Sequence, residues 1–465
     1  MNKNLTLQEI YTLGLENHQK KNLDVAIKLY NQVLEINPKH KGSLNNLGVV
    51  FRVLKKYHQA KSYFEKAIEI DPNYEIALSN LGSTYIKLEE DHKAINCYEK
   101  VIELNPNSVD AHYNLGKIFA ETREYQKAIS CYEKTIGINY NYENAHYSLG
   151  IIFQTIGEDQ KAKSSYEKVI KINPNNVGAL NNLGLIHKNL NDYKKAKEYY
   201  ESAIKINSNF IYAYWGLHGC TSNIDEALLA LKRLYKTGNK DIILKIMLSA
   251  LQGFKGDFND FNDLLKTSDA SHPYIKCIQW VFSQPKLPKV CFKRSDFFNV
   301  AIELSVNSRP FYEFGVWRGN SFQYLINTFK KGFGFDTFTG LPEAWGSQPI
   351  GTYSSDGVIP EIDGGEFIVG KFEKTLPNFF SKERPMASLI NFDADLYSST
   401  LCALNNANKV IDDKTILVFD ELIMTKTWEE DEYKALNEFC NNMGFSYEVL
   451  AISFTTGQVA IKLKK

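Results

Sequence analysis

Residues 43–72, SLNNLGVVFRVLKKYHQAKSYFEKAIEIDP, contain the pattern that decides the fold of the first half of the chain. Leu47-Gly48 is followed by Ala60, then by the aromatic Phe64, and Pro72 closes the unit. The pattern recurs with a period of 34 residues and no slip. Leu-Gly stands at 13–14, 47–48, 81–82, 115–116, 149–150 and 183–184, Ala at 26, 60, 94, 128, 162 and 196, the aromatic residue at 30, 64, 98, 132, 166 and 200, and Pro at 38, 72, 106 and 174.

The spacing within each unit predicts two helices, one with Leu and a small Gly at the close approach and one with Ala and an aromatic residue against it. Neither helix can bury its face alone, so the units must stack into an all-α solenoid. Proline ends the second helix. Tyr140 and Ser208 replace it in units four and six, where we expect Asn-rich turns to do the same. The period and signature resemble the tetratricopeptide repeat.

One position of the repeat is a candidate partner-binding site. The residue before Leu-Gly is Asn46, Asn80, Asn114 and Asn182, with Thr12 and Ser148 as exceptions. The resemblance places these residues on the concave wall, where an Asn ladder holds the main chain of an extended peptide in some relatives. Asn offers both a donor and an acceptor, so it can pair with a main chain of any sequence. The alternative is that these Asn residues cap or space neighbouring helices.

Length and composition limit the remaining possibilities. A chain of 465 residues is too long for one core. Its 54 basic and 54 acidic side chains balance, so the composition gives no sign of the basic surface that a nucleic-acid partner would need. Apolar runs such as Ile416–Phe419 are far shorter than the roughly 20 residues of a membrane span. No signal-peptide core follows the first residue, and the seven cysteines are scattered singly, so we expect a cytoplasmic protein with reduced thiols and no membrane contact.

The chain is predicted to have three parts. Residues 7–210 are the six repeats. Residues 211–290 keep helical spacing but lose the strict period, which is typical of a degenerate helical cap or linker. Residues 291–465 change to strands that alternate with helices, which predicts a mostly parallel α/β sheet.

Seven strands are predicted in the last part, with the final two forming an antiparallel edge. They are Pro310–Gly315, Gly332–Phe335, Glu366–Val369, Ser388–Phe392, Thr415–Phe419, Ser446–Ile452 and Gln458–Lys462. Helices fit at about 319–331, 372–381, 399–411 and 429–443.

The first of these strands ends in a candidate ligand-binding loop. Glu313-Phe-Gly315-Val-Trp-Arg-Gly319 leads into a helix, and Asp336 ends the next strand. Ligands of doubly wound sheets bind at the carboxyl ends of the strands, where Gly lets a ligand approach the backbone and an acid accepts ribose hydroxyls. Glu313 would repel a pyrophosphate, whereas S-adenosylmethionine (SAM) carries an ammonium and a sulfonium. The alternative is a purely structural turn.

Four segments, YEFGVWRGNS (312–321), GFDTFTGLPE (334–343), FDADLYSST (392–400) and VFDE (418–421), resemble the macrocin O-methyltransferase family over roughly residues 295–465. The resemblance implies a Rossmann-like class I methyltransferase domain with a seven-stranded sheet that methylates sugar hydroxyls and requires magnesium. It implies that SAM is bound by Glu313, Gly315, Gly319, Asp336 and, beside the adenine, Gly370 and Phe372. It implies that the metal is bound by Asp393, Asp420 and Glu421, although this family usually has Asp or Asn where Glu421 stands.

The residues themselves also suggest a metal. Asp393 and Asp395 end one predicted strand, and Asp420 and Glu421 end the next, so three or four carboxylates would repel one another unless a cation lay between them. Oxygen ligands suit Mg²⁺ or Mn²⁺. The alternative is that these acids cap the helices that follow.

The last part of the chain has no histidine, since all nine lie at or before His272. We therefore expect a metal to lower the pKa of an acceptor hydroxyl, with Asp393, Asp395 or water taking the proton. The Gly-, Pro- and Ser-rich segment 340–365, with Trp345 and Tyr353, is expected to cover the acceptor pocket.

The sequence thus predicts a SAM-dependent O-methyltransferase whose acceptor is a small molecule or glycan and whose repeat arm binds a protein or peptide. The alternative is a protein-interaction scaffold with a non-catalytic SAM-binding domain.

Overall fold

The structure, a computed structural model, describes residues 5–344, 348, 350–355 and 357–464. Trp345 lies outside the described residues. The chain divides into two compact units, one ending at Ile186 and one beginning at His187. Within the described ranges, no helix is both long and apolar enough to cross a membrane.

Twelve helices build the six predicted repeats, two in each unit. They are α1 (Leu7–Gln19), α2 (Leu23–Ile36), α3 (Lys41–Val53), α4 (Tyr57–Ile70), α5 (Glu75–Lys87), α6 (Asp91–Leu104), α7 (Val109–Glu121), α8 (Tyr125–Ile138), α9 (Glu143–Thr155), α10 (Asp159–Ile172), α11 (Val177–Asn189) and α12 (Tyr193–Ile206).

The glycine of a Leu-Gly pair packs directly against the aromatic ring of the same unit. Phe64 and Tyr166 are fully buried, and a Cβ atom added to Gly48 or Gly150 would lie 2.5 Å from the ring of its partner. Only a residue without a side chain lets the ring lie directly on the helix backbone. This contact is the physical reason for the conserved spacing between the two positions of the repeat.

An Asx turn ends each second helix whether or not proline follows. The side-chain oxygen at this position accepts the backbone N–H two residues later at 3.0–3.2 Å, a local bond that competes with helix continuation. The six residues are Asn37, Asp71, Asn105, Asn139, Asn173 and Asn207. The expectation that Asn-rich turns replace proline at Tyr140 and Ser208 is confirmed.

Five helices follow the repeats: α13 (Ile211–His218), α14 (Ile224–Lys236), α15 (Ile242–Gly253), α16 (Asn259–Leu264) and α17 (Pro273–Phe282). Gly216 of α13 packs against the buried Tyr200 ring, so the packing of the repeat continues one helix further. The indole N–H of Trp428 donates to the carbonyl of Pro273 at 3.1 Å, and Lys293 Nζ donates to Ser222 Oγ at 2.8 Å. These helices and the α/β domain belong to the same compact unit.

The α/β domain contains a mixed sheet of eight strands within the described residues. They are β1 (Lys289–Val290), β2 (Phe311–Phe314), β3 (Gly332–Asp336), β4 (Gly365–Val369), β5 (Leu389–Phe392), β6 (Ile416–Phe419), β7 (Ser446–Ile452) and β8 (Val459–Lys464). The order is β1-β7-β8-β6-β5-β2-β3-β4, and β8 alone runs antiparallel to its neighbours.

The prediction of seven strands therefore needs a correction. The seven predicted strands all form, but β1 adds an eighth at the edge and pairs with β7, so β7 is not an edge strand. β1 is only two residues long, too short for any periodicity in the sequence.

Helices α18 (Arg294–Glu303), α19 (Asn320–Phe329), α20 (Phe372–Phe379), α21 (Tyr397–Ala407) and α22 (Glu432–Met443) complete the domain. The sequence predicted all of them except α18. Residues of α18 and α19 pack with Phe311, Leu389 and Val418 on one face of the sheet, and α20 packs against Phe335 on the other face.

A row of stacked phenylalanines crosses the sheet at the carboxyl ends of four strands. Phe335, Phe314, Phe392 and Phe419 lie in register on β3, β2, β5 and β6, with neighbouring ring centroids 4.8–5.4 Å apart. Cross-strand aromatic pairs stabilise a sheet. The row forms a rigid floor from which the loops after these four strands project.

Candidate functional site

A cavity of about 250 Å³ opens at the carboxyl ends of β2, β3, β5 and β6. β2 pairs in parallel with β3 on one side and with β5 on the other, so the order in which successive strands are added to the sheet reverses between β2 and β5. Open α/β sheets bind ligands at such a switch point. The cavity is lined by Arg294, Gly315, Val316, Trp317, Arg318, Asn320, Ser321, Asp336, Thr337, Gly340, Leu341, Pro342, Tyr353, Lys371, Phe372, Glu373, Asp393, Ala394, Asp395, Ser399, Asp420 and Glu421.

The lining is strongly acidic. It contains six carboxylates, namely Asp336, Glu373, Asp393, Asp395, Asp420 and Glu421. Only Arg294, Arg318 and Lys371 carry positive charge. A cavity lined mainly by one sign of charge attracts ligands of the other sign. Cationic ligands are therefore favoured over phosphates.

Asp336 holds the loop between β2 and α19 in place. Its Oδ2 atom accepts the N–H groups of Val316 and Trp317 at 2.8 and 2.7 Å. Its Oδ1 atom accepts the N–H of Phe338 at 2.7 Å and lies 3.5 Å from Thr337 Oγ1. Since a carboxylate has about four lone-pair positions, Oδ1 alone retains capacity for a strong donor. The sequence predicted that Asp336 accepts both ribose hydroxyls, but this oxygen atom has room to accept only one of them.

Gly315 and Gly319 have different roles in this loop. A Cβ atom on Gly315, which has a φ of +88°, would lie 1.7 Å from the carbonyl oxygen of Asp393, so only glycine fits between β2 and β5. Gly315 also lines the cavity. Gly319 has a φ of +76° and packs against Pro360 and Ile362 instead of lining the cavity.

Glu313 lies beneath the cavity and does not line it. Ser321 Oγ donates to Oε1 at 2.6 Å, whereas Oε2 is buried with no hydrogen-bond partner among the described residues. Burial raises the pKa of Glu313 to about 8, against the opposing effects of the Ser321 hydrogen bond and of Arg294. Its register partner Asn391 on β5 also has both side-chain polar atoms buried without a partner in the described structure.

The loop after β4 brings Lys371 and Phe372 to the cavity. Gly370 has a φ of +136° and donates its N–H to the carbonyl of Asp336 at 2.9 Å, so it shapes the loop but does not line the cavity. The ring of Phe372 meets Phe314 edge-on at 5.7 Å. Of the two residues predicted beside an adenine, only Phe372 is on the cavity wall.

The four predicted acids come together at the rim. Asp393, Asp395, Asp420 and Glu421 all line the cavity. Burial, and then the neighbouring Glu421 and Asp420, raise the pKa of Asp395 to about 8. Burial and Asp420 raise the pKa of Glu421 to about 7. Burial and Asp420 also raise the pKa of Asp393, although Arg294 opposes this.

Asp395 has an unusual backbone as well. Its φ of +56° lies in the left-handed region, which non-glycine residues adopt mainly in functional or strained segments. A fifth acid that sequence reasoning missed, Glu432 at the start of α22, is 1% exposed. Its Oε2 accepts the N–H of Glu421 at 3.3 Å, and Oε1 is buried without a partner in the described part of the chain.

Arg294 is the main residue that the sequence did not reveal. It is the first residue of α18, and its Nη2 atom lies 3.0 Å from Asp420 Oδ1 and 3.5 Å from Asp393 Oδ2. Gln458 Nε2 donates to the same Asp420 oxygen at 2.5 Å. The sequence predicted that these acids need a cation between them. The guanidinium of Arg294, which belongs to the chain itself, supplies that positive charge.

The predicted divalent metal does not fit this arrangement. Among the described residues, no three His, Cys, Asp or Glu side chains are grouped so that they could hold a metal ion. The acids that were expected to ligate it, Asp393, Asp420 and Glu421, lie close together, but Arg294 bridges the first two.

The described part of the segment 340–365 covers one side of the cavity. Leu341 and Gly351 pair through the backbone, since Gly351 N donates to Leu341 O at 3.0 Å. Gly340, Leu341, Pro342 and Tyr353 line the cavity. The Tyr353 ring meets Trp317 edge-on at 5.8 Å. No histidine lines the cavity in the described structure.

The predicted Asn ladder on the arm makes internal contacts at three of its four positions. Asn46 Nδ2 donates to Tyr11 Oη at 3.1 Å, and Asn80 Nδ2 donates to Asn45 Oδ1 at 3.0 Å, which connects neighbouring repeats. Asn182 Oδ1 accepts from Asn181 within the same helix at 3.4 Å. All four ladder residues, Asn114 included, remain partly exposed. Both alternatives for this ladder stay open.

Comparisons with known proteins concern the repeats. Models of the tetratricopeptide repeat match residues 10–40, 43–74, 109–142, 143–176 and 177–210, and a model described as a TPR repeat matches residues 82–122. No curated protein sequence matches the chain.

Several solved structures are similar to part of the chain. A crystal structure of MamA is 29% identical, covers 34% of this chain and 93% of its own, and has a TM-score of 0.33. The structure of YrrB, described as a TPR protein with an unusual peptide-binding site, is 21% identical, with 40% and 95% coverage and a TM-score of 0.35. A tetratricopeptide repeat protein from Parabacteroides merdae is 18% identical, with 53% and 98% coverage and a TM-score of 0.40. The matches of the family models show that the first part of the chain is made of tetratricopeptide repeats.

Proposed function

We propose that the α/β domain binds SAM and transfers its methyl group to an acceptor hydroxyl, and that the repeat arm binds a protein or peptide. The observation that carries this proposal is the acidic cavity at the switch point between β2 and β5.

The charge of the cavity favours SAM over a nucleotide. A nucleotide would place phosphates among six acidic side chains with only three cationic side chains beside them, and the pKa values of Asp395 and Glu421 are already raised in this cavity. SAM presents a sulfonium and an ammonium to the same surface.

The residues present fit SAM in three places. Gly315 leaves open backbone at the mouth of the β2–α19 loop, Asp336 Oδ1 has capacity for a ribose hydroxyl, and Phe372 offers an aromatic edge beside it. Glu313, Gly319 and Gly370 support these loops from outside the cavity. The bound cofactor would supply a methyl group activated by the sulfonium.

Asp395 is the best candidate for removing the acceptor's proton. It lines the cavity, and its pKa of about 8 makes it a stronger base than an ordinary carboxylate once it is ionised. Asp393 is a weaker candidate because Arg294 lies 3.5 Å from it. The acceptor, a sugar or another small molecule with a hydroxyl, would enter beside Tyr353.

The tetratricopeptide repeats support a protein-interaction role for the arm, and Asn46, Asn80, Asn114 and Asn182 are the proposed contacts. The second candidate function, a scaffold with a non-catalytic SAM-binding domain, would keep these contacts and the cofactor but show no methyl transfer.

Calorimetry with SAM and S-adenosylhomocysteine tests the cofactor. We expect both to bind, and Asp336→Asn to weaken binding by about 1.5–3 kcal/mol, the scale of a hydrogen bond to a charged group. Asp363→Asn, at an exposed acid outside the cavity, is the matched control and should bind like the wild type. Absence of binding by the wild type, or equal binding by the Asp336 variant, would refute the assignment.

A further inference from the structure

Asp420 is already saturated on the side that faces Asp393. Its Oδ1 atom accepts from Arg294 Nη2 at 3.0 Å and from Gln458 Nε2 at 2.5 Å. Two donors use both lone pairs of a carboxylate oxygen. A metal ion could reach Asp420 only through Oδ2.

A metal ion at that position would lie close to a fixed positive charge. Metal–oxygen distances for Mg²⁺ are about 2.0–2.1 Å, so an ion bound to Asp420 would lie within several ångströms of the guanidinium. Like charges at this separation repel strongly in a partly buried site. The second oxygen-rich partner, Asp393, is engaged by the same guanidinium at 3.5 Å.

The position of Arg294 is fixed by its own surroundings. It begins α18, whose Phe297 and Phe298 are buried in the core of the domain, and its guanidinium lies over the Phe298 ring at 5.7 Å. Its side chain extends from this helix to the rim, where it is 43% exposed and lines the cavity.

We infer that Arg294 takes the place of the divalent metal, so that the cavity excludes Mg²⁺ and Mn²⁺ while this arginine is present. Arg294 is then a positioning residue, which holds Asp393 and Asp420 together as a metal would. This inference is independent of whether the domain binds SAM.

Removal of Arg294 would leave two carboxylates without a counter-charge. Asp420 Oδ1 and Asp393 Oδ2 lie 3.0 and 3.5 Å from the same Nη2 atom, so both would face the vacated position. Mg²⁺ commonly binds through one or two carboxylates and keeps several of its waters, so this pair would be enough to hold a divalent ion.

Titration of the full chain with Mn²⁺ alone, followed by electron paramagnetic resonance, tests the inference. We expect no saturable binding to the wild type or to Arg294→Lys, and saturable binding to Arg294→Gln at concentrations roughly tenfold or more below any residual binding by the wild type, because one positive charge is removed. Asp420→Asn added to Arg294→Gln should abolish the gained site.

Two results would overturn the inference. One is saturable Mn²⁺ binding by the wild type that Asp420→Asn removes. The other is a folded Arg294→Gln protein, with a normal circular dichroism spectrum, that binds no more Mn²⁺ than the wild type. If Arg294→Gln fails to fold, Arg294→Met, which keeps a side chain of similar length beside Phe298, takes its place, and a folded Arg294→Met protein that binds no more Mn²⁺ than the wild type overturns the inference.

Discussion

The contact between Gly48 and Phe64 gives the most direct test of why the repeat has its spacing. In Gly48→Ala the new Cβ atom would lie 2.5–2.7 Å from three carbons of the fully buried ring. Carbon atoms normally pack at about 3.5–4.0 Å. The ring must therefore move by about 1 Å in a core with no exposed side.

The expected change in the free energy of unfolding combines two opposing effects. Overpacking of a core costs about 1–3 kcal/mol. Replacement of a helical Gly by Ala gains up to about 1 kcal/mol. With the full propensity gain subtracted, the balance is a destabilisation of up to about 2 kcal/mol.

Two other glycines provide matched controls on the same arm. At Gly82 the nearest ring carbon would be 3.0 Å away, so the ring has to yield by only a few tenths of an ångström. At Gly137, which lies within α8, a Cβ atom meets nothing within 4 Å. Urea unfolding followed by far-ultraviolet circular dichroism should rank Gly137→Ala above Gly82→Ala and Gly82→Ala above Gly48→Ala. A Gly48→Ala protein as stable as Gly137→Ala would refute the packing argument.

Two further predictions concern the buried acid and the Asn ladder. Because the folded-state pKa of Glu313 is raised to about 8 from 4.5, the folded protein retains a proton that the unfolded chain loses, so stability is complete below about pH 4.5 and decreases as the pH rises towards 8. The stability of Glu313→Gln relative to the wild type should therefore increase as the pH rises, by an upper limit of about 3 kcal/mol at pH 7. Urea unfolding at both ends of this pH range measures the difference. A gain that does not depend on pH would contradict the argument. A peptide selected on the wild-type arm should no longer be captured when the four ladder residues, Asn46, Asn80, Asn114 and Asn182, are changed together to Ala, while SAM binding stays constant. Unchanged peptide capture would show that these residues have a structural role.

The sequence predicted the repeats well because each contact is local and repeated. Gly48 and Phe64 lie within one unit, and the same pair returns every 34 residues, so the pattern could be read without any long-range information. The strands were predictable for a similar reason, since β2, β5 and β6 are short, fully buried runs that are apolar except for Glu313 and Asn391.

The charges of the rim could not be predicted in the same way. Arg294 and Asp420 are 126 residues apart, and neither has a neighbour in the sequence that indicates the other. The sequence did not predict α18, so Arg294, the first residue of this helix, could not be placed in the fold. The sequence predicted four acids at one rim, and all four line the cavity, but it did not indicate that Arg294 lies between two of them.

Arg294 interacts with several acids of the rim. Asp393 and Asp420 share the guanidinium, and Gln458 adds a hydrogen bond to Asp420. Arg294 also opposes the raised pKa of Glu421, which burial and Asp420 bring to about 7. Burial, Glu421 and Asp420 raise the pKa of Asp395 to about 8, so this acid largely keeps its proton at pH 7. A cationic ligand beside Asp395 would lower that pKa and favour the ionised form, which is the form that can take a proton from an acceptor hydroxyl.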